Sequence, residues 1–104
     1  MRLQGVVYTE TLATGSETAT VTLQATSGAI RGCTFFVSSD NVAGTAKLYY
    51  VTPTGEERLI QSTSITAGAT AEVLDFDFPI PQCVLKWTGA SASSTTVFVE
   101  GITY

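Results

Sequence analysis

Residues 73–87 read VLDFDFPIPQCVLKW. Leu74, Phe76 and Phe78 alternate with Val73, Asp75 and Asp77. A period of two belongs to a strand with one face in a core. Beyond the prolines the alternation resumes, with Cys83, Leu85 and Trp87 on one face and Lys86 opposite. Pro79 and Pro81 cannot donate ladder hydrogen bonds, so FPIPQ must be a crossover or an exposed edge. FPIPQ therefore ends one strand before the next begins.

The same grammar runs along the chain. No segment keeps a helical period. Short β-rich runs fall at about Leu3–Leu12, Thr18–Thr26, Cys33–Ser38, Ala46–Thr52, Glu57–Ser62, Ala71–Phe78, Cys83–Thr88 and Thr96–Ile102. TGSE, SGAIRG, SDNVAG, PTGE, ITAGA, PIPQ and GASASS separate them. Strand starts about a dozen residues apart are the rhythm of a sandwich or barrel. The reading is one all-β domain over residues 1–104: an antiparallel β-sandwich of about eight strands, jelly-roll-like. YYVTPTGEERLI is the clearest hairpin, because Pro53 presets φ early in the turn and Gly55 supplies a positive φ. Val21, Leu23, Phe35, Val37, Leu48, Leu74, Phe76, Leu85 and Trp87 are the expected core.

The aspartates are the only hint of chemistry in the opening stretch. Two carboxylates ~7 Å apart on one strand face fall short of the folded oxygen-rich loop that Ca²⁺ requires. Asp75 and Asp77 are therefore read as an acidic solvent face, with no metal and no cofactor. The chain has no histidine. Ser-His-Asp and Cys-His arrangements are thereby excluded. No Walker loop, dinucleotide fingerprint or C-x-x-C pair occurs. No catalytic residue is assigned, and the expectation is a protein that is not an enzyme. Cys33 and Cys83 are too few for a disulfide framework and read as buried thiols, with a disulfide as the alternative.

Composition narrows the partners. Of 104 residues only 13% are charged, and eighteen Thr with nine Ser supply the polarity. Net charge is −4, and Arg2, Arg31, Lys47, Arg58 and Lys86 are scattered. Nucleic acid and anionic membrane surfaces both call for clustered cations, so neither is expected. No apolar run approaches the ~20 residues of a membrane-spanning helix. MRLQGVVYTE lacks the apolar centre of a signal peptide, so synthesis in a cytoplasm is expected.

The segments GTAKLYYVTPTGEERLI, VLDFDFPIPQCVLKWTGA and SSTTVFVEGITY together resemble small β-sandwich accessory proteins of tailed bacteriophage virions. The likeness spans Gly44 to Tyr104. It is carried by Thr-rich, glycine-punctuated, charge-poor strands with a strand at the end. It implies a capsid decoration, head–tail or fibre-associated component that acts through protein–protein assembly and resides in the virion after synthesis in the host. It carries over no catalytic or ligand-binding residue. Adhesin subunits and carbohydrate-binding modules share the same style, so glycans are the alternative partner.

The resemblance also implies a homo-oligomer, with three as its number. The residues give an independent reason to expect association. MRLQGVVYTETL and TTVFVEGITY are apolar on both faces, and such strands need cover on both sides from a neighbouring subunit or an internal sheet position. Tyr8, Tyr49, Phe98 and Tyr104 are the candidate interface or ligand residues. Tyr49 is the expected exposed ring, whereas Trp87 and Tyr50 fall in phase with the core.

Overall fold

The computed structural model describes residues 7–14, 18–24, 29–68, 70–90 and 95–103; in the first two segments side chains are described only at Thr20 and Thr22, and residue 103 by its backbone. Eight strands follow in chain order: β1 Val7–Thr14, β2 Thr18–Gln24, β3 Cys33–Ser39, β4 Gly44–Val51, β5 Glu57–Ile65, β6 Glu72–Phe76, β7 Gln82–Gly89 and β8 Thr95–Thr103. Sheet A has the order β1-β8-β3-β6 and sheet B the order β2-β7-β4-β5. This is a jelly roll.

Its logic is a single long hairpin rolled into two layers. β4 pairs with β5, β3 with β6, β2 with β7 and β1 with β8, all antiparallel. The pairs Gly44↔Ile65, Cys33↔Phe76 and Val7↔Ile102 are each equidistant from the same point in the chain, between Thr54 and Gly55. The expected turn lies there. Gly55 has φ +90, its N–H donates to Thr52 O at 2.9 Å, and the Glu56 N–H donates to Thr52 Oγ1 at 3.0 Å.

Alternation fills the space between the layers. β3 shows a strict in–out burial pattern, contributing Cys33, Phe35, Val37 and Ser39 to the interior. Trp87, Phe35, Leu48, Ile65, Leu74 and Leu85 are the largest fully buried side chains. Val21 and Leu23 stand in register with Leu85 and Cys83; their side chains lie outside the described residues. β8 takes an internal position between β1 and β3, which covers Val97 and Val99.

The opening stretch departs from its reading at one place. β6 ends at Phe76, so Phe78 does not join the inward set and is 42% exposed, with its ring 5.5 Å from that of Phe76. Asp77 also lies past the strand end, so it does not share a strand face with Asp75. The cause is Pro79, which restricts the residue before it, and the crossover that follows. Ile80, the only amide donor between the two prolines, exchanges both backbone hydrogen bonds with Ile30 at 2.7 and 2.8 Å. Both isoleucines are buried and close the core where the chain passes from sheet A to sheet B.

Two further devices hold the layers together. The Gln61 amide, on edge strand β5, donates to Val73 O at 3.2 Å and accepts from Asp75 N at 3.0 Å. It thereby satisfies backbone groups that edge strand β6 would otherwise leave open. At the β3–β4 turn, Asp40 Oδ1 accepts from the Thr96 amide and the Thr95 hydroxyl, each at 2.9 Å. These donors hold the Asp40 carboxyl below its usual range, the Thr96 amide most of all. Thr95 Oγ1 in turn accepts from the amides of Asn41 and Val42 and touches buried Ser39 Oγ at 2.8 Å. Ser39 and Thr95 are buried and Asp40 is exposed, and together their hydrogen bonds tie the β3–β4 turn to β8.

Candidate functional site

The two thiols come from opposite sheets, Cys33 from β3 and Cys83 from β7. Both are free and fully buried. Burial pushes each up to about 12, with the neighbouring Cys83 adding to the effect at Cys33. The nucleophilic form is the thiolate, so neither is poised for attack near neutral pH. Among the described residues no group of three His, Cys, Asp or Glu is placed to hold a metal ion. Asp75 is exposed on the outer face, as its alternation predicts.

Function therefore has to be sought on the outer faces. On sheet A, β3 places Phe36 outward, directly opposite Val73 of β6, while β8 places Phe98 and Ile102 on the same face. Phe36 is 38%, Val73 44% and Phe98 42% exposed, and Ile102 is half-buried. The three exposed apolar side chains sit on neighbouring strands, with exposed Glu100 of β8 directly opposite Phe36 and exposed Asp75 beside Val73 on the same face of β6. Isolated exposed apolar residues are ordinary, but a row of them on one face is a mark of an interaction surface.

Sheet B carries a different surface. Outward positions of β4 and β7 bring Tyr49 beside Val84, and Lys47 directly opposite Lys86. Lys86 Nζ donates to Glu57 Oε1 at 2.6 Å and lies 5.2 Å from the centre of the Tyr49 ring. The carboxylate raises the lysine above its ordinary range, the hydrogen bond being the main cause. A bulge in β5 adds Ile60 between the partners of Leu48 and Tyr49. It turns Ile60 against the core and leaves Leu59 outward, 56% exposed, opposite Tyr49. Toward one end of this sheet opens a groove of about 550 Å³, lined by residues 43–45, Lys47, residues 64–66 and residues 88–90.

Of the four residues singled out from sequence, the two with described side chains do not converge. Tyr49 is half-buried on the outer face of sheet B, and Phe98 is exposed on the outer face of sheet A. These faces point away from each other. Tyr8 pairs with Gly101 in β1, but its side chain lies outside the described residues, as does all of Tyr104. Phe36, Val73 and Lys47 were missed. Phe36 was legible, because in CTFFVSS the second Phe must face away from the core that takes the first. Its neighbours were not, because they depend on strand order.

No protein-family model matches the chain, and no curated protein matches it in sequence. Solved structures do match in shape. The Yersinia pseudotuberculosis-derived mitogen superposes with a TM-score of 0.65 at 13% identity, over 99% of this chain and 88% of that one. A point mutant of the family 29 carbohydrate-binding module CBM29-2 gives 0.52 at 14% identity, over 96% of this chain and 80% of the module. A chain from the infectious bursal disease virus Gx strain structure gives 0.50 at 12% identity, over 96% of this chain and 30% of the viral one. At such identities the likeness establishes the fold alone, and the fold hosts unrelated activities.

Proposed function

We propose that the chain is a non-enzymatic structural component of a tailed-phage virion, made in the host cytoplasm and built into the particle by protein–protein contacts. The observation that carries this reading is the outer face of sheet A, where Phe36, Val73 and Phe98 stand exposed on adjacent strands. Two aromatic rings and a valine, flanked by the carboxylates of Glu100 and Asp75, give this face an apolar centre with a charged rim, the anatomy of a protein interface. The first occupant of this face is a second copy of the chain, and the virion resemblance makes the assembly a trimer. Other virion proteins then complete the contacts. The jelly roll is also a fold of viral capsid domains, which agrees with the reading at the level of fold. Mass spectrometry of gradient-purified particles tests it. The chain should be present at a fixed ratio to the major capsid protein, and its recovery only in the soluble host lysate would overturn the proposal.

A second reading, a glycan-binding module, is favoured by a separate observation. The outer face of sheet B combines an open groove with a half-exposed tyrosine on one surface. Aromatic faces and hydroxyl-lined clefts are what sugars bind.

A further inference from the structure

We propose that the groove at the end of the outer face of sheet B binds an acidic saccharide, with Lys47 holding the ligand's carboxylate or sulfate. This rests on the glycan-binding reading and narrows it. The groove, about 550 Å³, is within the ~300–1,000 Å³ span of small-ligand sites. Its described polar side chains are those of Thr45, Lys47, Ser64, Thr66 and Thr88, and no carboxylate is among its described lining residues. Hydroxyls that both donate and accept match the hydroxyls of a sugar ring. Lys47 adds the one charge among the described lining residues.

The charge pattern gives the ligand its sign. Lys47 and Lys86 are direct cross-strand partners on the outer face. Like charges so placed repel. Lys86 is compensated by Glu57 and by the Tyr49 ring. Lys47 is exposed and has no ion-pair partner among the described residues. A chain with net charge −4 and five basic residues thus places two of them side by side and neutralises one. An anion over Lys47 removes the imbalance. One free lysine engages one acid group of a ligand at a time, whereas nucleic-acid binding draws on several cations along a track. Tyr49 lies on the same face next to Lys47 in β4's outward series and offers its ring to the apolar side of a neighbouring sugar unit.

Calorimetric titration with tetragalacturonate, a heparin tetrasaccharide and neutral cellotetraose tests the proposal. At least one acidic tetrasaccharide should bind with a dissociation constant of about 1 mM or tighter, and cellotetraose about tenfold more weakly or not at all. Lys47→Gln should weaken the acidic ligand about tenfold, and raised salt should weaken it too. Asp75→Asn, an exposed position on the opposite face, should leave it unchanged. Cellotetraose binding as tightly as the acidic sugars, indifferent to Lys47→Gln, would overturn the acidic assignment while leaving glycan binding intact. Binding by none of the three would overturn both.

Discussion

Trp87→Ala is expected to destabilise the fold by about 3–5 kcal/mol, the cost of emptying a large aromatic site. Trp87 is 1% exposed and the largest fully buried side chain. It sits on β7 between β2 and β4, in register with Ala19 and with buried Ala46, whose small side chain makes room for an indole. A domain of this size has only ~5–15 kcal/mol to lose. Urea unfolding at neutral pH should therefore show a variant barely folded or not folded. Trp87→Phe should fold with a smaller loss. It keeps a ring in the site and removes the buried Nε1–H, which has no hydrogen-bond partner among the described residues. A loss under about 1 kcal/mol for Trp87→Ala would mean that the indole does not anchor the space between the sheets.

Gly44→Ala is the second large effect, and it comes from too much volume. A Cβ built on Gly44 would lie 2.5 Å from Thr88 O, 2.8 Å from Trp87 Cε2 and 2.9 Å from Trp87 Cζ2. The first contact is backbone of the adjacent strand, and the others belong to the central indole. Neither can swing aside. Overpacking costs ~1–3 kcal/mol, and the gain of about 0.5–1 kcal/mol from restricting the unfolded chain offsets only part of it. A net loss of about 1 kcal/mol, and at most about 2.5, is expected in the same urea assay. Trp87→Phe should relieve the indole contacts but not the one to Thr88 O, so the double variant should recover only part of the Gly44→Ala loss. An unchanged midpoint for Gly44→Ala would show that β4 and β7 do not approach this closely.

The contrast between these sites shows what a linear sequence discloses. Trp87 was readable as core because Cys83, Leu85 and Trp87 alternate on one strand. Gly44 was not, because its neighbours lie on β7, far along the chain. The same division holds elsewhere. Alternation revealed the eight strands, and Pro53 with Gly55 marked the hairpin turn about which the pairs are nested. Alternation carries no information on which strands pair, so the outer row of Phe36, Val73 and Phe98 stayed hidden. Val42, Ile30 and Ile80 sit in segments that read as turns, yet all three are buried. Turn residues mark where the backbone changes direction, and an apolar residue among them still finds the core at the mouth of a sandwich. The Phe78 reading extended alternation one step too far, past the point where Pro79 governs the backbone.

The binding surfaces were harder to read than the fold. Tyr49 and Phe98 alternate out of phase with the core side chains of their strands, and both lie on outer faces. The sequence could not show that they lie on opposite sides of the molecule. Lys47 passed as one scattered cation among five. It acquires meaning only when register sets it against Lys86 and the groove opens beside it.

Copies of this chain are proposed to meet on the outer face of sheet A. Sedimentation equilibrium on the purified protein at micromolar concentrations tests it most directly, alongside a variant carrying Phe36→Ser and Phe98→Ser. Both positions are exposed, so the substitutions should leave the fold and its circular dichroism intact. The account predicts a mass of about three times the single-chain 10.9 kDa for the native protein, and the single-chain mass for the variant. A native protein that stays at 10.9 kDa as concentration rises, or an oligomer indifferent to both substitutions, would contradict it.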